Sequence, residues 1–114
     1  MALTISSKRN GNIEIVNLAG RLTLGDGSSS LRAAVKETLE RTSSIVVDLS
    51  GLSYIDSAGL GELVSGYASA KSKGAEMKLL RPSKRVDSML QITKLYTTFE
   101  VFEDETAAVS SFRS

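Results

Sequence analysis

The 114-residue sequence contains no cysteine, no histidine and a single proline. Without cysteine there is neither a disulfide framework nor a thiolate nucleophile, and without histidine the commonest general base near neutral pH is missing. Ser-His-Asp and Cys-His catalysis are thereby excluded, together with zinc sites built from those ligands. An excess of one charge is lacking as well. Fourteen Lys and Arg against thirteen Asp and Glu leave +1, far from the concentrated positive charge of a dedicated nucleic-acid binder or a polybasic membrane anchor. No apolar run is long enough to cross a bilayer, and Met1 to Arg9 lack the extended apolar core of a signal peptide. The absences together imply a cytoplasmic chain with no metal, no cofactor, no direct nucleic-acid contact and no membrane insertion. What is present is a 41% hydrophobic fraction, enough for an ordinary core, and room for one domain over residues 1–114.

Apolar periodicity switches several times along the chain. Leu3 and Ile5 alternate with polar neighbours, and Asn10-Gly11 supplies a hairpin turn before Ile13, Ile15, Val16 and Leu18. The alternation slips between Ile15 and Val16, which fits either a bulge or a strand covered on both faces. Gly25 to Ser30 reads as a loop rich in capping residues, and Leu31, Ala34, Val35, Thr38 and Leu39 then recur at helical spacing. Ile45-Val46-Val47 with Leu49 has the unbroken apolar pattern of a central strand buried on both faces. Leu60, Leu63, Val64, Tyr67 and Ala68 mark a second helix stopped by Gly74, and Met77 to Leu80 form another strand. Pro82-Ser83 opens a third helix through Val86, Met89 and Leu90; Phe99 to Phe102 make a last strand, and Thr106 to Phe112 a closing helix behind the acidic Glu103-Asp104-Glu105. The order is β-β-α-β-α-β-α-β-α, an α/β domain with a small mixed sheet and about four helices packed on it.

The glycines match no phosphate-cradling spacing: there is no G-x-x-x-x-G-K-[ST], and Gly59-Leu60-Gly61 lacks the third glycine of a dinucleotide fingerprint. Asp48 and Asp56 are better explained as strand-end and capping residues than as an acid–base pair. The segment Asp48 to Gly61 stands out as a patterned loop from the central strand to the second helix. Leu52, Tyr54 and Ile55 would anchor it, with Asp56 and Ser57 at the helix entrance, at the carboxyl end of a central strand, where open α/β sheets usually meet ligands and partners. Either Asp56 or Ser57 simply caps the helix, or the Ser57 hydroxyl is an exposed phosphoacceptor beside the small Ala58 and Gly59. Ile92 to Tyr96 is a possible second surface, though a helix-to-strand turn with Leu95 and Tyr96 tucked into the core is the simpler reading. Tyr67 reads as core by its helical spacing from Leu63 and Val64.

Over nearly its whole length the sequence resembles the STAS-domain anti-sigma factor antagonists of bacteria. Tyr54-Ile55-Asp56-Ser57-Ala58-Gly59-Leu60-Gly61 is similar to the family's Asp-Ser-[Ser/Thr/Ala]-Gly-Leu-Gly signature, preceded by Val46-Val47-Asp48-Leu49, and Gly20-Arg21-Leu22 is similar to its Gly-[Glu/Arg]-Leu strand end. The resemblance implies a non-catalytic STAS domain whose unphosphorylated form binds an anti-sigma factor serine kinase, a histidine-kinase-like ATPase, and so releases a sigma factor. Phosphorylation of Ser57 by that kinase would switch it off, and a phosphatase would reset it. The partner is expected on Leu24, Ala58 and Leu60 with the adjoining Thr23, Asp26, Asp56, Ser57 and Gly59. The sequence departs from the family at Thr23, where an aspartate near the phosphoacceptor is usual; either Asp26 substitutes for it, or Thr23 merely ends a strand and Asp26 caps the first helix. A scaffold subunit of a stress-signalling or lipid-transport assembly is the alternative function. A phosphate's charge of about −1.5 to −2 would reverse the sign of a +1 domain while a helix N-terminus tolerates it, so binding would be lost and the fold kept.

Overall fold

The structure, a computed structural model, describes residues 3–112. The chain opens with strands β1 (Leu3–Asn10) and β2 (Ile13–Leu22), paired antiparallel. Then follow α1 (Asp26–Leu39), β3 (Ser44–Ile55), α2 (Ser57–Ser72), β4 (Glu76–Leu80), α3 (Lys84–Ile92), a 3₁₀ turn at Leu95–Thr97, β5 (Val101–Phe102) and α4 (Glu105–Ser110). The five strands lie in one sheet in sequence order, β1-β2-β3-β4-β5, parallel from β2 onward. The expected element order and mixed sheet are both present, with β3 at the centre.

The core explains the strand patterns. Three helices cover one face: Leu31 and Val35 of α1, Leu60, Leu63 and Ala70 of α2, and Val86 and Leu90 of α3 pack on Val16, Leu18, Ile45, Val47, Leu49 and Leu79. Each large apolar side chain buried this way contributes about 1.5–3 kcal/mol. Helix α4 covers part of the other face, where Ala108 meets Ile13, Ile15, Val46 and Leu80. Ile13 and Ile15 therefore belong to one face and Val16 and Leu18 to the other. The slip after Ile15 is a strand covered on both sides, and the β1–β2 register runs unbroken through it. Irregularity appears further on, where the β2–β3 register shifts between Asn17 and Ala19 and again between Gly20 and Arg21.

Five boundaries differ from the sequence reading, one of them the closing helix, which starts at Glu105 and ends at Ser110, short of Phe112. The hairpin loop is Gly11-Asn12, since Asn10 pairs with Ile13, and Gly11 takes the positive φ of 65° that the tight turn requires. Helix α1 begins at Asp26 instead of after Ser30, because Gly27 and Ser28 are buried and the Ser28 N–H and hydroxyl both donate to Thr23 O, at 3.1 and 2.9 Å. The supposed loop after Asp48 is strand as far as Ile55: β4 stops pairing at Asp48, but β2 continues alongside to Leu22↔Ile55. The last strand shrinks to Val101–Phe102, leaving Phe99 buried ahead of it with its ring edge-on to Tyr67 at 5.1 Å. Tyr67 thus belongs to the core periphery, as its spacing suggested.

Candidate functional site

The carboxyl ends of β2 and β3 deliver two connections to the same place: Thr23-Leu24-Gly25 into α1, and Asp56 into α2. Asp56 is the N-cap of α2, in extended conformation, and its Oδ1 accepts the Gly59 N–H at 2.8 Å. The capping alternative is therefore resolved in favour of Asp56, and Ser57 is the first residue of the helix. The other carboxylate oxygen of Asp56 accepts the Leu24 N–H at 3.1 Å, from 32 residues away in the chain. One side chain thus caps a helix and ties down the neighbouring loop. Accepting first from Gly59 and then from Leu24 stabilises its ionised form and holds its pKa below the ordinary aspartate value of 3.8.

Gly59 makes this junction possible. A Cβ at that position would lie 2.1 Å from the Leu22 carbonyl oxygen and 2.8 Å from its carbon, so the first turn of α2 rests directly on the β2 backbone. The Asp56 N–H donates to the same Leu22 oxygen at 3.3 Å. Beside it Gly25, with φ 98° and ψ −129°, makes the turn into α1 in a conformation open essentially to glycine.

The sequence-predicted residues sort into two groups around this junction. Ser57, Leu24 and Asp26 are exposed, Leu24 to 78%, and among the described residues no hydrogen bond engages the Ser57 hydroxyl. Thr23, Asp56 and Ala58 are half-buried. Gly59 and Leu60 are buried, Leu60 in the core beneath the helix, so these two shape the surface from below. Asp26 lies in the first turn of α1, whose N-cap is Gly25 without a side-chain hydrogen bond; the reading of Asp26 as the cap is corrected. Thr23 uses its carbonyl to hold Ser28.

Asp48 and Asp56 are engaged by separate partners. Asp48 is buried on β3, pairs with Arg81 at 2.9 Å and accepts the Ser50 N–H at 3.0 Å. Burial pushes its pKa up, but the bonds from Ser50 and Arg81 outweigh this and the net displacement is downward. Further away, Ile92 is 78% exposed, Leu95 packs against the core, and Tyr96 stands partly out of it with its hydroxyl on Asp87. The tucked-in reading holds for Leu95 and fails for Tyr96, because Asp87 on α3 offers its hydroxyl a partner at the surface. Burial and that carboxylate push the Tyr96 pKa up to about 12.

Sequence reasoning missed the tie from Asp56 to Leu24 and a pair of guanidinium groups on Tyr54, from Arg21 and Arg85. Neither has a local sequence signal, since each joins residues more than 30 positions apart. Among the described residues there is no group of three or more His, Cys, Asp or Glu placed to hold a metal, and no helix long and apolar enough to cross a membrane.

Comparison with known proteins agrees with the fold. The chain is 28% identical to the anti-sigma F factor antagonist of Paenibacillus polymyxa over 112 residues, covering 96% of this chain and 95% of that protein. It is 29% identical to the anti-sigma-B factor antagonist of Bacillus subtilis (strain 168) over 101 residues, covering 89% and 92%. Among solved structures, an anti-sigma factor antagonist from Mycobacterium paratuberculosis superposes with a TM-score of 0.86 at 18% identity, covering 98% and 95% of the two chains. The Bacillus cell fate determinant SpoIIAA in its phosphorylated form superposes with a TM-score of 0.74 at 18% identity, covering 96% and 100%. The family model described as "Mlab, STAS domain" matches residues 5–101, and the chain belongs to the STAS-domain family.

Proposed function

We propose that this protein is a phosphorylation-controlled anti-sigma factor antagonist whose switch is Ser57. The observation that carries the reading is the exposed Ser57 hydroxyl on the first turn of a 16-residue helix, held rigidly between the Asp56 cap and the Gly59–Leu22 contact. The names of the two relatives and the phosphorylated form of SpoIIAA support it. In the unphosphorylated state an anti-sigma factor kinase docks on Leu24, Ser57 and Ala58, and the sigma factor it held is released.

The proposed chemistry is phosphoryl transfer to this hydroxyl. The Ser57 oxygen attacks the γ-phosphorus of ATP bound to the kinase, the new O–P bond forms as the bond to the ADP oxygen breaks, and the hydroxyl proton leaves to a base. Asp56 is badly suited to be that base, because both its oxygens already accept backbone N–H groups and its pKa is lowered. The base belongs to the kinase. The product phosphate sits at the positive end of the α2 dipole, which stabilises it where it is formed. A partner pressed over the exposed Leu24 then meets added charge next to Asp56, and desolvation and repulsion expel it.

The test is incubation of the purified protein with the candidate kinase and ATP, followed by mapping of the phosphate. One phosphate per chain on Ser57, absent in Ser57→Ala, with loss of kinase binding on modification, supports the switch. Binding without labelling would favour the scaffold reading, which Thr23 keeps open by standing where related proteins commonly carry an aspartate.

A further inference from the structure

Arg9, Arg32, Arg41 and Arg81 each pair with a carboxylate, from Glu14, Glu62, Glu14 and Asp48 respectively. Arg21 and Arg85 differ. Both are exposed, neither has a carboxylate partner among the described residues, and their guanidinium carbons lie 4.5 and 4.3 Å from the centre of the same ring, that of Tyr54. Arg21 reaches it from its paired position on β2. Arg85 arrives from the first turn of α3, entered through Arg81, whose φ of 46° turns the chain out of β4 while its side chain holds Asp48.

Stacking on a ring fixes the plane of a guanidinium yet leaves its five N–H donors available at the edges. Two such groups on one tyrosine, with exposed Lys84 adjoining Arg85 in sequence, concentrate positive charge, and no carboxylate pairs with either guanidinium among the described residues. Guanidinium forks with free donors are what carboxylates fit in bidentate fashion. We propose that Arg21, Tyr54 and Arg85 form a docking plate for an acidic segment of a partner protein, whose side-chain carboxylates bind the guanidinium edges. A protein is favoured over nucleic acid because the chain carries only +1 overall. The proposal does not depend on modification of Ser57.

The probe is an acetylated, amidated hexapeptide of alternating aspartate and glutamate, titrated into isotope-labelled protein at low ionic strength and followed by amide chemical shifts. Saturable shifts should centre on Arg21, Tyr54 and Arg85, and the double variant Arg21→Ala/Arg85→Ala should weaken binding by about tenfold or more. Lys36→Ala/Lys94→Ala removes as much charge elsewhere and should change little. Tyr54→Leu, which keeps every charge and loses the stacking surface, should weaken binding roughly threefold, and Tyr54→Phe should restore it. Arg85→Lys, which keeps the charge and loses the planar fork, serves the same purpose if Tyr54→Leu does not give a native spectrum. Equal weakening by the lysine pair, or unchanged binding in Tyr54→Leu and Arg85→Lys, would overturn the plate in favour of diffuse attraction. Tighter binding of a single-stranded oligonucleotide at the same amides would overturn the choice of an acidic protein.

Discussion

Helices α2 and α4 begin alike and end up with different duties. Each has an aspartate N-cap in extended conformation whose side chain accepts the N–H three residues on: Asp56 from Gly59 at 2.8 Å, Asp104 from Ala107 at 2.9 Å. At α4 the cap is a local device, with no further hydrogen bond to the Asp104 side chain among the described residues. At α2 the second oxygen of the same carboxylate reaches across to Leu24, and the residue receiving the cap is a glycine lying on the Leu22 backbone. A cap stabilises a helix; a cap with a tether fixes one surface loop relative to another. The difference separates an ordinary helix start from a built surface, and it can be broken one element at a time.

The largest effect belongs to the third helical position. Gly59→Ala places a Cβ 2.1 Å from a backbone oxygen, which only a shift of α2 away from β2 can relieve, and it should destabilise the fold by about 3 kcal/mol or more. The same position in α4 already holds Ala107, and Ala107→Gly should cost at most about 1 kcal/mol through helix propensity. Urea denaturation of the two variants checks the ranking. If Gly59→Ala proved as mild as Ala107→Gly, the close seating of α2 on β2 would be wrong.

Removal of the caps comes next. Asp104→Ala should lose about 1 kcal/mol, the usual worth of a cap. Asp56→Ala should lose more, since it releases a tertiary bond together with the cap, and it should also speed hydrogen exchange at the Leu24 amide. Asp56→Asn separates the two duties, because its amide nitrogen cannot accept a bond. With one acceptor oxygen left, either the cap or the tether survives, and the variant should fall between wild type and Asp56→Ala.

Acid probes the same bonds without mutation. The folded pKa of Asp56 is lowered, so its contribution to stability is fully present above the unfolded value of about 3.8 and is lost as pH falls through the lowered folded value. Asp48 and Glu14 behave with the same sign, Glu14 chiefly through the hydrogen bond from Arg41. Stability should therefore be steady through neutral pH and decline below about pH 4, with the Leu24 amide resonance tracking the Asp56 carboxyl in the titration. A Leu24 resonance that stayed put while Asp56 protonated would contradict the tether.

The two helix starts were unequally legible in the sequence, and the reason is physical. A cap is local: Asp56 and Asp104 both stand ahead of apolar helical spacing, and the acidic run at Glu103 to Glu105 announced α4 directly. A tether depends on where the rest of the chain goes, and Leu24 carries no mark that its amide will meet a carboxylate 32 residues later. The start of α1 failed for the same cause. Gly27, Ser28, Ser29 and Ser30 are weak helix formers, but burial of Gly27 and Ser28 and the bonds from Ser28 to Thr23 override that preference. Along Ser50 to Tyr54 the exposed polar side chains of Ser50 and Ser53 hid a strand whose inward residue, Leu52, was visible only as an anchor. Asp56-Ser57-Ala58-Gly59 stood out in the sequence because these residues are contiguous, and that contiguity comes from the helix turn they build.

The smallest effect should come from the first helical position, where the contrast between the helices is one of charge. In α4 that residue is Glu105, an acidic side chain 3.2 Å from Lys8; in α2 it is Ser57, an exposed hydroxyl. A carboxylate in the first turn is favoured by the helix dipole, and the exposed Ser57 hydroxyl makes no hydrogen bond among the described residues that a small acidic side chain would break. Both Ser57→Asp and Ser57→Ala should therefore stay within about 0.5 kcal/mol of wild type in denaturation. Near-neutral stability gives the switch its logic: charge added at Ser57 leaves α2 seated on β2, so any loss of partner affinity in Ser57→Asp arises at the interface. A Ser57→Asp protein that unfolded early would remove the basis for a surface switch, because modification would then act by melting the junction that Asp56 and Gly59 hold together.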